Sequence, residues 1–452
     1  MPPITLLPKL VIVTLFLAAC YQVSTYQPVP YIKQGLPSVL TDQNNSQWFS
    51  DAIKAPHGDS IDDEYDDDPS SPAHSKKPTI PERDYSRTHI SYGQTQCMPH
   101  FNAQWKQAAL DRNASCTQHA PFPTQETRRV GFASITTGAS VESYQRAILT
   151  QMFHAAVHDT SAHVLCESLT SGMWNKIAFL LHLVMTELLK PASQRLEWMM
   201  WIDRDAIVLD ACRPLSSFLP PQDPAFDKIE LIVNEDNYGL NAGVFLFKVS
   251  TWMVDYLSDV LAIRHYRNPD TLPFAEQSGM AALMQEENAK GRFAKVPWYW
   301  FNAYPDEEAS VEKYRQNLEP EDLEFFRARK GDFIAHFAGD VDRVVRMGQW
   351  EDMVEEEGNV WAGETKRDIT SAVEQYWQAW RSGTLTMKHM TGEDEEAAAL
   401  RKEKEAEMRA KKEEEEKQEK EKEEKERKEK EKEEEEREKE KQKEEVRQDL
   451  DR

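Results

Sequence analysis

Two acidic residues stand between apolar segments near the middle of the chain. The apolar run 198–202 ends at Asp203 and Asp205, and a second apolar run follows at 206–209. Burying an ionised carboxylate costs several kcal/mol unless a cation, a basic partner or water compensates for the lost hydration. Two carboxylates at the end of a buried strand therefore predict a bound divalent cation that prefers oxygen ligands.

The elements that must position these carboxylates alternate between strands and helices. The run 198–202 is continuously apolar, which is typical of a strand covered on both faces in an α/β sheet. Apolar patterns before it predict strands at 130–135 and 163–166 and helices at 144–158 and 174–189. This β-α-β-α-β order predicts a parallel sheet layered by helices, whose ligands bind beyond the carboxyl ends of the strands.

Downstream, two more strands are predicted at 229–233 and 242–247, with a polar segment at 234–241 between them. Its Asn and Gly residues could bind hydroxyl groups, but an ordinary hairpin connection is the favoured interpretation of this segment taken alone. Helices are predicted at 252–266 and 275–287.

Charge is segregated along the 452 residues, which carry a formal net charge of −24. The acidic excess lies at 62–68 and beyond Gly392, and no basic stripe interleaved with aromatic residues occurs, which argues against nucleic acid as a partner. The tail, 386–452, alternates Glu and Lys and predicts a solvated helix or spacer. Docking of a partner protein through this charge is the alternative.

The N-terminal 23 residues predict a targeting segment. Residues 10–20 are apolar and follow Lys9, but they are short for a full membrane span of about 20 residues. The segment is a signal-anchor or a cleaved signal peptide, and the anchor is favoured. Residues 24–127 are polar and rich in Pro, Ser and Asp, which predicts a low-complexity stem, with order beginning near Arg128 and a folded domain over 128–385.

Sequons and cysteines point to the secretory pathway. Asn44 and Asn113 begin N-x-S sequons, which matter only in a secretory lumen. Four cysteines beyond the N-terminal segment allow three disulfide connectivities in an oxidising compartment. A Cys97–Cys116 pair in the stem is the first expectation, and Cys166 and Cys212 are interpreted equally well as buried apolar residues.

Five segments occur in an order that resembles one enzyme family. They read WMMWIDRDAIVLD at 198–210, GLNAGVFL at 239–246, EQS at 276–278, PWYWFN at 297–302 and GDFIAHFAG at 331–339. Together they are similar to glycosyltransferase family 34, which includes fungal Golgi galactosyl- and mannosyltransferases and plant xyloglucan xylosyltransferases. The similarity covers about residues 128–381.

This resemblance implies a GT-A fold, a Rossmann-like mixed sheet layered by helices, and retaining transfer of a sugar from a nucleotide sugar. Asp203 and Asp205 match the D-x-D carboxylates and His336 a further ligand of a manganese-type metal. Such a metal neutralises the charge on the departing nucleoside diphosphate. Each ligand has a structural alternative, in which the carboxylates cap a turn or His336 is a hydrogen-bonded strand-end residue.

The remaining site residues follow from the same match, apart from Thr136 and Gly138, which are assigned because they follow the carboxyl end of the first predicted strand. Glu276 and Gln277 match the segment that faces the transferred sugar, although an acidic residue that opens a helix is often a first-turn cap. Gln277 is the expected stabiliser of the oxocarbenium-like centre, by a front-face route without a covalent intermediate. The nucleotide-sugar side is assigned to five residues, namely Lys176, Asp203, Asn241, Thr136 and Gly138. Lys176 could instead be a solvated lysine, and Arg204 is expected to pair with an acidic neighbour.

The predicted function is therefore transfer of galactose or mannose from a UDP- or GDP-sugar to a glycan acceptor by a Golgi, single-pass type II enzyme. Departures from the family pattern at 154–160 and at Asp340, where a Cys is common, leave the choice of donor open. An inactive family member that acts as a scaffold in a transferase complex is the alternative from another class. A two-metal phosphoesterase would need a richer cluster of His and Asp ligands than the sequence offers.

Overall fold

The computed structural model describes residues 88–94, 97–123, 126–138, 140–306, 310–316, 325–364, 367–393 and 399. The predicted targeting segment, Asn44 and nearly all of the charged tail lie outside these residues. Within the described part of the chain, no helix is both long and apolar enough to cross a membrane.

Seven strands form one mixed sheet, and two more form a small second sheet. In chain order the strands are β1 (His89–Tyr92), β2 (Val130–Ile135), β3 (Ser161–Leu165), β4 (Trp198–Ile202), β5 (Ala206–Val208), β6 (Leu231–Asp236), β7 (Gly239–Lys248), β8 (Phe293–Lys295) and β9 (Ile334–His336). The large sheet has the order β1-β3-β2-β4-β7-β6-β8. Its first four strands run parallel, whereas β7 is antiparallel to both β4 and β6. The predicted α/β fold class with a mixed sheet is confirmed.

Helices cover both faces of this sheet. They are α1 (Ala103–His119), α2 (Glu142–His158), α3 (Trp174–Leu188), α4 (Thr251–Ile263), α5 (Ala275–Met284), α6 (Ser310–Gln316), α7 (Arg343–Glu357), α8 (Thr370–Ser382) and α9 (Met387–Thr391). Asn102 and Ser250 begin α1 and α4 by accepting hydrogen bonds from the N–H groups of Trp105 and Met253. These bonds satisfy N–H groups that the first helical turn leaves without partners.

Strand β4 is buried on both faces, as its continuous apolar sequence predicts. Trp198, Met200 and Ile202 pack into a core cluster with residues of α2 and α8. Met199 and Trp201 face the opposite cluster, which α3, α4 and α5 complete. All five side chains are at most 1% exposed, so the end of β4 is fixed from both sides.

The apolar stretch beyond the two aspartates is a separate strand. The chain turns at 203–205, where the N–H of Ala206 donates to the carbonyl of Asp203 at 3.2 Å, and β5 then pairs antiparallel with β9. Ala206 and His336 are register partners in this small sheet. The turn therefore brings His336 beside Asp205.

The polar segment at 234–241 is a hairpin, as favoured from the sequence. Only residues 237 and 238 lie between β6 and β7, so most of the polar side chains belong to the strands themselves. Asn234 and Asn241 are register partners across this pair, and both are buried.

The region predicted as a stem contains folded elements. Strand β1 pairs parallel with β3, and α1 packs against α2 through buried residues that include Ala109 and Phe153. Asn113 lies within α1 and its amide donates to the carbonyl of Val157 at 2.8 Å. Order therefore begins well before Arg128. The sequence did not reveal β1, because a strand of four residues is too short to give a recognisable hydrophobic period.

The disulfides also differ from the prediction. Cys97 pairs with Cys166, and Cys116 pairs with Cys212, so the expected Cys97–Cys116 bond is wrong. The physical reason is the parallel pairing of β1 with β3, because Cys97 and Cys166 both lie just beyond the carboxyl ends of these neighbours. Both bonds attach the predicted stem to the sheet domain.

Candidate active site

Three side chains that the sequence assigns to a metal meet at one edge of the sheet. Asp203 follows β4, Asp205 precedes β5 and His336 ends β9, and each offers a ligand atom within 4.8 Å of the others. Two carboxylates and an imidazole form a donor set that accepts Mn²⁺ or a similar divalent ion. The residues present fit the metal that the resemblance implies.

Close packing fixes His336. A Cβ atom on Gly243 would lie 2.1 Å from Cε1 of His336, so only glycine leaves room for the ring at this point of β7. The rings of Tyr304 and His336 form a T-shaped contact, with ring centroids 5.7 Å apart. Nδ1 of His336 lies 2.7 Å from Oδ1 of Asn302, and Nε2 lies 3.6 Å from Oδ1 of Asp205.

Arg343 brings a positive charge to this cluster. Its guanidinium lies 2.9 Å from Oδ2 of Asp205. Burial is the largest influence on the Asp205 carboxyl and opposes its ionisation, but the groups around it, which include the Arg343 guanidinium, outweigh burial and hold the pKa of Asp205 below its usual range. Asp205 is therefore a carboxylate ready to bind a cation.

Lys176 balances the charge behind the cluster. Its ammonium group lies 3.1 Å from Oδ1 of Asp203 and 3.1 Å from Oε1 of Glu276, and it donates to the carbonyl of Ala242 at 2.8 Å. Although burial is the largest effect and favours the neutral amine, Asp203 and Glu276 together raise the pKa of Lys176. Only 3% of Lys176 is exposed, so it is not the solvated lysine of the alternative interpretation. Its three N–H donors already have partners, and a diphosphate would have to replace one of them.

The residues expected to face the sugar begin helix α5. Ala275 has a φ of 47°, a left-handed conformation that costs about 1–3 kcal/mol in a non-glycine residue and is common at functional sites. Glu276 is buried beside Lys176, and burial raises the pKa of its carboxyl. Oε1 of Gln277 accepts a hydrogen bond from the N–H of Ala242 at 2.9 Å. This bond ties α5 to β7 and leaves the oxygen of Gln277 one further lone pair.

Asn241 takes part in a network within the hairpin. Its Nδ2 donates to Oδ2 of Asp236 at 2.8 Å and its Oδ1 accepts from the N–H of Gly243 at 2.9 Å. The hydroxyl of Tyr304 donates to the same Asp236 oxygen at 2.8 Å. The network links the hairpin to the ring that packs on His336.

Thr136 and Gly138 lie at the same sheet edge. They follow β2, which runs parallel to β4 with Ala133 opposite Trp201, so the carboxyl ends of both strands point to the cluster side. Arg204 differs from the expected acidic pairing, because its guanidinium lies over the ring of Tyr144, 4.4 Å from the centroid, and donates to the carbonyl of Thr137.

Sequence reasoning missed several residues of this site. Arg343 was not considered, although a basic residue seven positions after His336 was a visible signal. Asn302 and Gly243 stood inside quoted motifs without a role. Their partners are distant in sequence, so spacing alone could not assign them.

Comparison with solved structures gives only distant likenesses. A glycosyltransferase involved in the glycosylation of the major capsid of PBCV-1 is 16% identical, with a TM-score of 0.38, over 48% of this chain and 98% of that one. The glycosyltransferase GlyE of Streptococcus pneumoniae TIGR4 is 13% identical, with a TM-score of 0.30, over 57% and 64%. Mouse xyloside xylosyltransferase 1 in its apo form is 12% identical, with a TM-score of 0.26, over 57% and 97%. Likenesses at this level extend to the fold at most.

Comparison with curated protein sequences gives no match. A family comparison does give one. The glycosyltransferase 34 family, described as the galactosyl transferase GMA12/MNN10 family, matches residues 220–341. The matched segment contains Asn241, Gln277, Asn302 and His336, whereas Asp203 and Asp205 precede it. This match supports a role in glycosyl transfer and confirms, over residues 220–341, the resemblance to glycosyltransferase family 34 that the motifs predicted.

Proposed function

We propose that this protein is a metal-dependent retaining glycosyltransferase that moves a hexose, galactose or mannose, from a UDP- or GDP-sugar to a glycan acceptor. The observation that carries the proposal is the meeting of Asp203, Asp205 and His336 beside the buried Lys176–Glu276 pair. The family match over 220–341 supports the reaction class.

The leaving group is a nucleoside diphosphate, whose negative charge must be neutralised as the glycosidic bond breaks. Asp203, Asp205 and His336 would hold a Mn²⁺ ion, which supplies a Lewis acid for the diphosphate oxygens. Arg343 is the only one of the two site cations with substantial exposure, since its side chain is 31% exposed and that of Lys176 is 4% exposed. Arg343 is thus placed to bind phosphate oxygens, while Lys176 holds Asp203 and Glu276 in position.

The sugar side of the site consists of Glu276 and Gln277. The amide of Gln277 is held against β7 by Ala242, which fixes its oxygen for polar contact with an electron-poor anomeric carbon. Glu276 is paired with Lys176 and is only 2% exposed, so its part is to position Lys176 rather than to attack the sugar. This arrangement fits the front-face route, in which no protein nucleophile is needed.

The acceptor side is open and aromatic. Tyr238, at the hairpin tip, is 69% exposed and Phe274, just before α5, is 48% exposed, with their ring centroids 6.1 Å apart. Both residues lie within four positions of Gln277 or Asn241. Exposed aromatic rings beside polar groups offer an amphipathic surface for the faces of acceptor sugars.

The proposed location is the Golgi membrane, with a single-pass type II topology and a lumenal catalytic domain. The apolar N-terminal segment motivates the anchor, and the two disulfides suit an oxidising lumen.

Thermal unfolding of the full chain with UDP or GDP, with and without Mn²⁺, tests the proposal. A ligand at about 100 times its dissociation constant stabilises a protein by roughly 2.7 kcal/mol. We expect one nucleotide to raise Tm only together with Mn²⁺, in the wild type and in the exposed-residue control Asp255→Ala, but not in Asp205→Ala. A folded sample whose Tm responds to neither nucleotide would favour the scaffold alternative, in which the charged tail docks partner transferases.

A further inference from the structure

A chain of buried amides ends on His336 and begins at a backbone carbonyl. Nδ2 of Asn234 lies 3.3 Å from the carbonyl oxygen of Val244. A backbone carbonyl can only accept a hydrogen bond, so the NH₂ group of Asn234 must face it. The orientation of the Asn234 amide is therefore fixed, and its Oδ1 points the other way.

The fixed orientation passes to Asn302. Oδ1 of Asn234 lies 2.7 Å from the Asn302 amide and can only accept, so it is the NH₂ group of Asn302 that faces Asn234. Oδ1 of Asn302 then faces Nδ1 of His336 at 2.7 Å. Because that oxygen can only accept, Nδ1 must carry a proton. Asn234 and Asn302 are both fully buried, so water does not offer substitute partners.

We propose that Asn234 and Asn302 are positioning residues that select the Nδ1–H tautomer of His336 and so present Nε2, with its lone pair, as the metal-ligand atom. Nε2 is the nitrogen on the Asp205 side of the ring. The metal part of this inference rests on the proposed function, whereas the tautomer does not.

The reverse orientation is disfavoured at every link. Flipping Asn234 alone would place its oxygen against the Val244 carbonyl, and flipping Asn302 alone would place its oxygen against Oδ1 of Asn234. Each buried mismatch costs roughly 1–3 kcal/mol. The three links must therefore flip together or not at all, and the immovable carbonyl of Val244 prevents the joint flip. Outer partners that orient a ligating histidine typically change metal affinity about 10–100-fold when they are removed.

The first test reads the tautomer directly in the metal-free full chain. Long-range ¹H–¹⁵N spectra of the histidine rings, with His336 assigned by its loss in His336→Gln, should show that the neutral ring carries its proton on Nδ1 and its lone pair on Nε2. Asn302→Leu should lose this preference, and Asn234→Leu should give a mixture of both tautomers. A wild-type ring protonated on Nε2 alone, or an unchanged tautomer in Asn302→Leu, would overturn the proposal.

The second test measures Mn²⁺ affinity by water-proton relaxation, without nucleotide or substrate. We expect Asn302→Leu to bind Mn²⁺ about 10–100-fold more weakly than the wild type. Asn359→Leu is the matched control, because its amide bonds Ser115 and the N–H of Trp361, away from His336. Equal weakening in the control would assign the effect to general loss of structure and overturn the positioning role. A correct tautomer without any Mn²⁺ binding would contradict the proposed function and leave the tautomer selection intact.

Discussion

At the scale of single residues, two close contacts constrain the site, one at Gly243 and one at Lys176. Position 243 accepts only glycine, because the ring of His336 occupies the space that a Cβ atom would need. Lys176 is enclosed by Asp203, Glu276 and Ala242, which makes the ammonium a fixed part of the site. Both constraints act through contacts between residues that are far apart in sequence.

Gly243→Ala should move His336 away from Asp203 and Asp205. We expect Mn²⁺ binding to fall at least 10-fold and the free energy of unfolding to fall by about 1–3 kcal/mol, as for overpacking elsewhere. Mn²⁺ titration and urea unfolding measure the two effects. The control is Gly348→Ala in α7, whose nearest neighbour to an added Cβ is a Ser143 side chain at 3.9 Å, and it should be neutral or stabilising. Normal Mn²⁺ binding by Gly243→Ala would contradict the assignment of His336 as a ligand.

The sequence was informative about which residues carry chemistry and less so about how they are paired. Asp203, Asp205 and His336 were predicted as a group, and the structure brings them together. Lys176 was left between two roles because its burial depends on α5, a helix that begins about 100 residues later. Residue types and motifs predict ligands, whereas the partners that orient them depend on tertiary contacts.

At the scale of elements, helices α2 and α7 meet through an unusual charge cluster. Arg146 of α2 pairs with Glu351 and Glu355 of α7, and both carboxyl groups are nearly or fully buried. Burial raises the pKa of Glu351 to about 8 and that of Glu355 to about 9. Since α7 begins at Arg343, this contact supports the helix that brings Arg343 to Asp205.

These carboxyl groups should make stability fall as pH rises. An acid whose pKa is higher in the folded state binds more protons in that state. Its contribution to stability is therefore greatest below the pKa of the unfolded state, and it is lost as the pH rises from that value to the pKa of the folded state. For Glu351 that window runs from about 4.5 to about 8. We expect the free energy of unfolding to drop by on the order of a few kcal/mol from pH 5 to pH 8.

Urea unfolding of Glu351→Gln at pH 5 and pH 8 separates the effect of the Glu351 carboxyl from that of the other ionisable groups. The glutamine has no charge to bury, so the variant should lose less stability with rising pH than the wild type. Glu374→Gln, on the exposed face of α8, should keep the wild-type slope. An identical slope in Glu351→Gln and the wild type would exclude the Glu351 carboxyl as the source.

Element boundaries show where periodicity is a sufficient guide. The long helices α2, α3 and α4 and the strands β2 and β4 lie within a few residues of their predicted positions. The apolar run after Asp205 was assigned no element of its own, and it forms a short strand that pairs with β9 in a second sheet. A turn of three polar residues between two apolar runs has no periodicity signal of its own.

At the scale of the whole molecule, the chain is held together by two covalent links as well as by its core. The disulfides join residues 69 and 96 positions apart. The first bond connects the segment after β1 to the end of β3, and the second connects α1 to the segment after β5. The resemblance to glycosyltransferase family 34 and the α/β class were predictable from local motifs, whereas these links were not, because four cysteines are compatible with three pairings.

Reduction should destabilise the protein substantially. Loops of this length give roughly 4–5 kcal/mol for each bond in the chain-entropy model, and measured losses are typically about 2–5 kcal/mol. We expect a lower Tm in reducing buffer, and a smaller decrease without reductant in a Cys116→Ala/Cys212→Ala double variant, which lacks one of the two bonds. Peptide mapping of the oxidised protein should recover 97–166 and 116–212 links. A 97–116 peptide would contradict the pairing.

Strand β1 has a consequence for any shortened form of this chain. It is a four-residue edge strand that covers β3, whose residues 162–165 are almost fully buried. A fragment that begins at Arg128, the boundary suggested by composition, would carry the five motif segments but would expose an apolar sheet edge and leave Cys166 and Cys212 without their disulfide partners. Open edges of this kind template intermolecular strand pairing, and free thiols cross-link the resulting aggregates. Proteolytic trimming or gene truncation inside residues 88–119 would therefore yield a self-associating product, whereas removal of the residues before 88 leaves this edge closed.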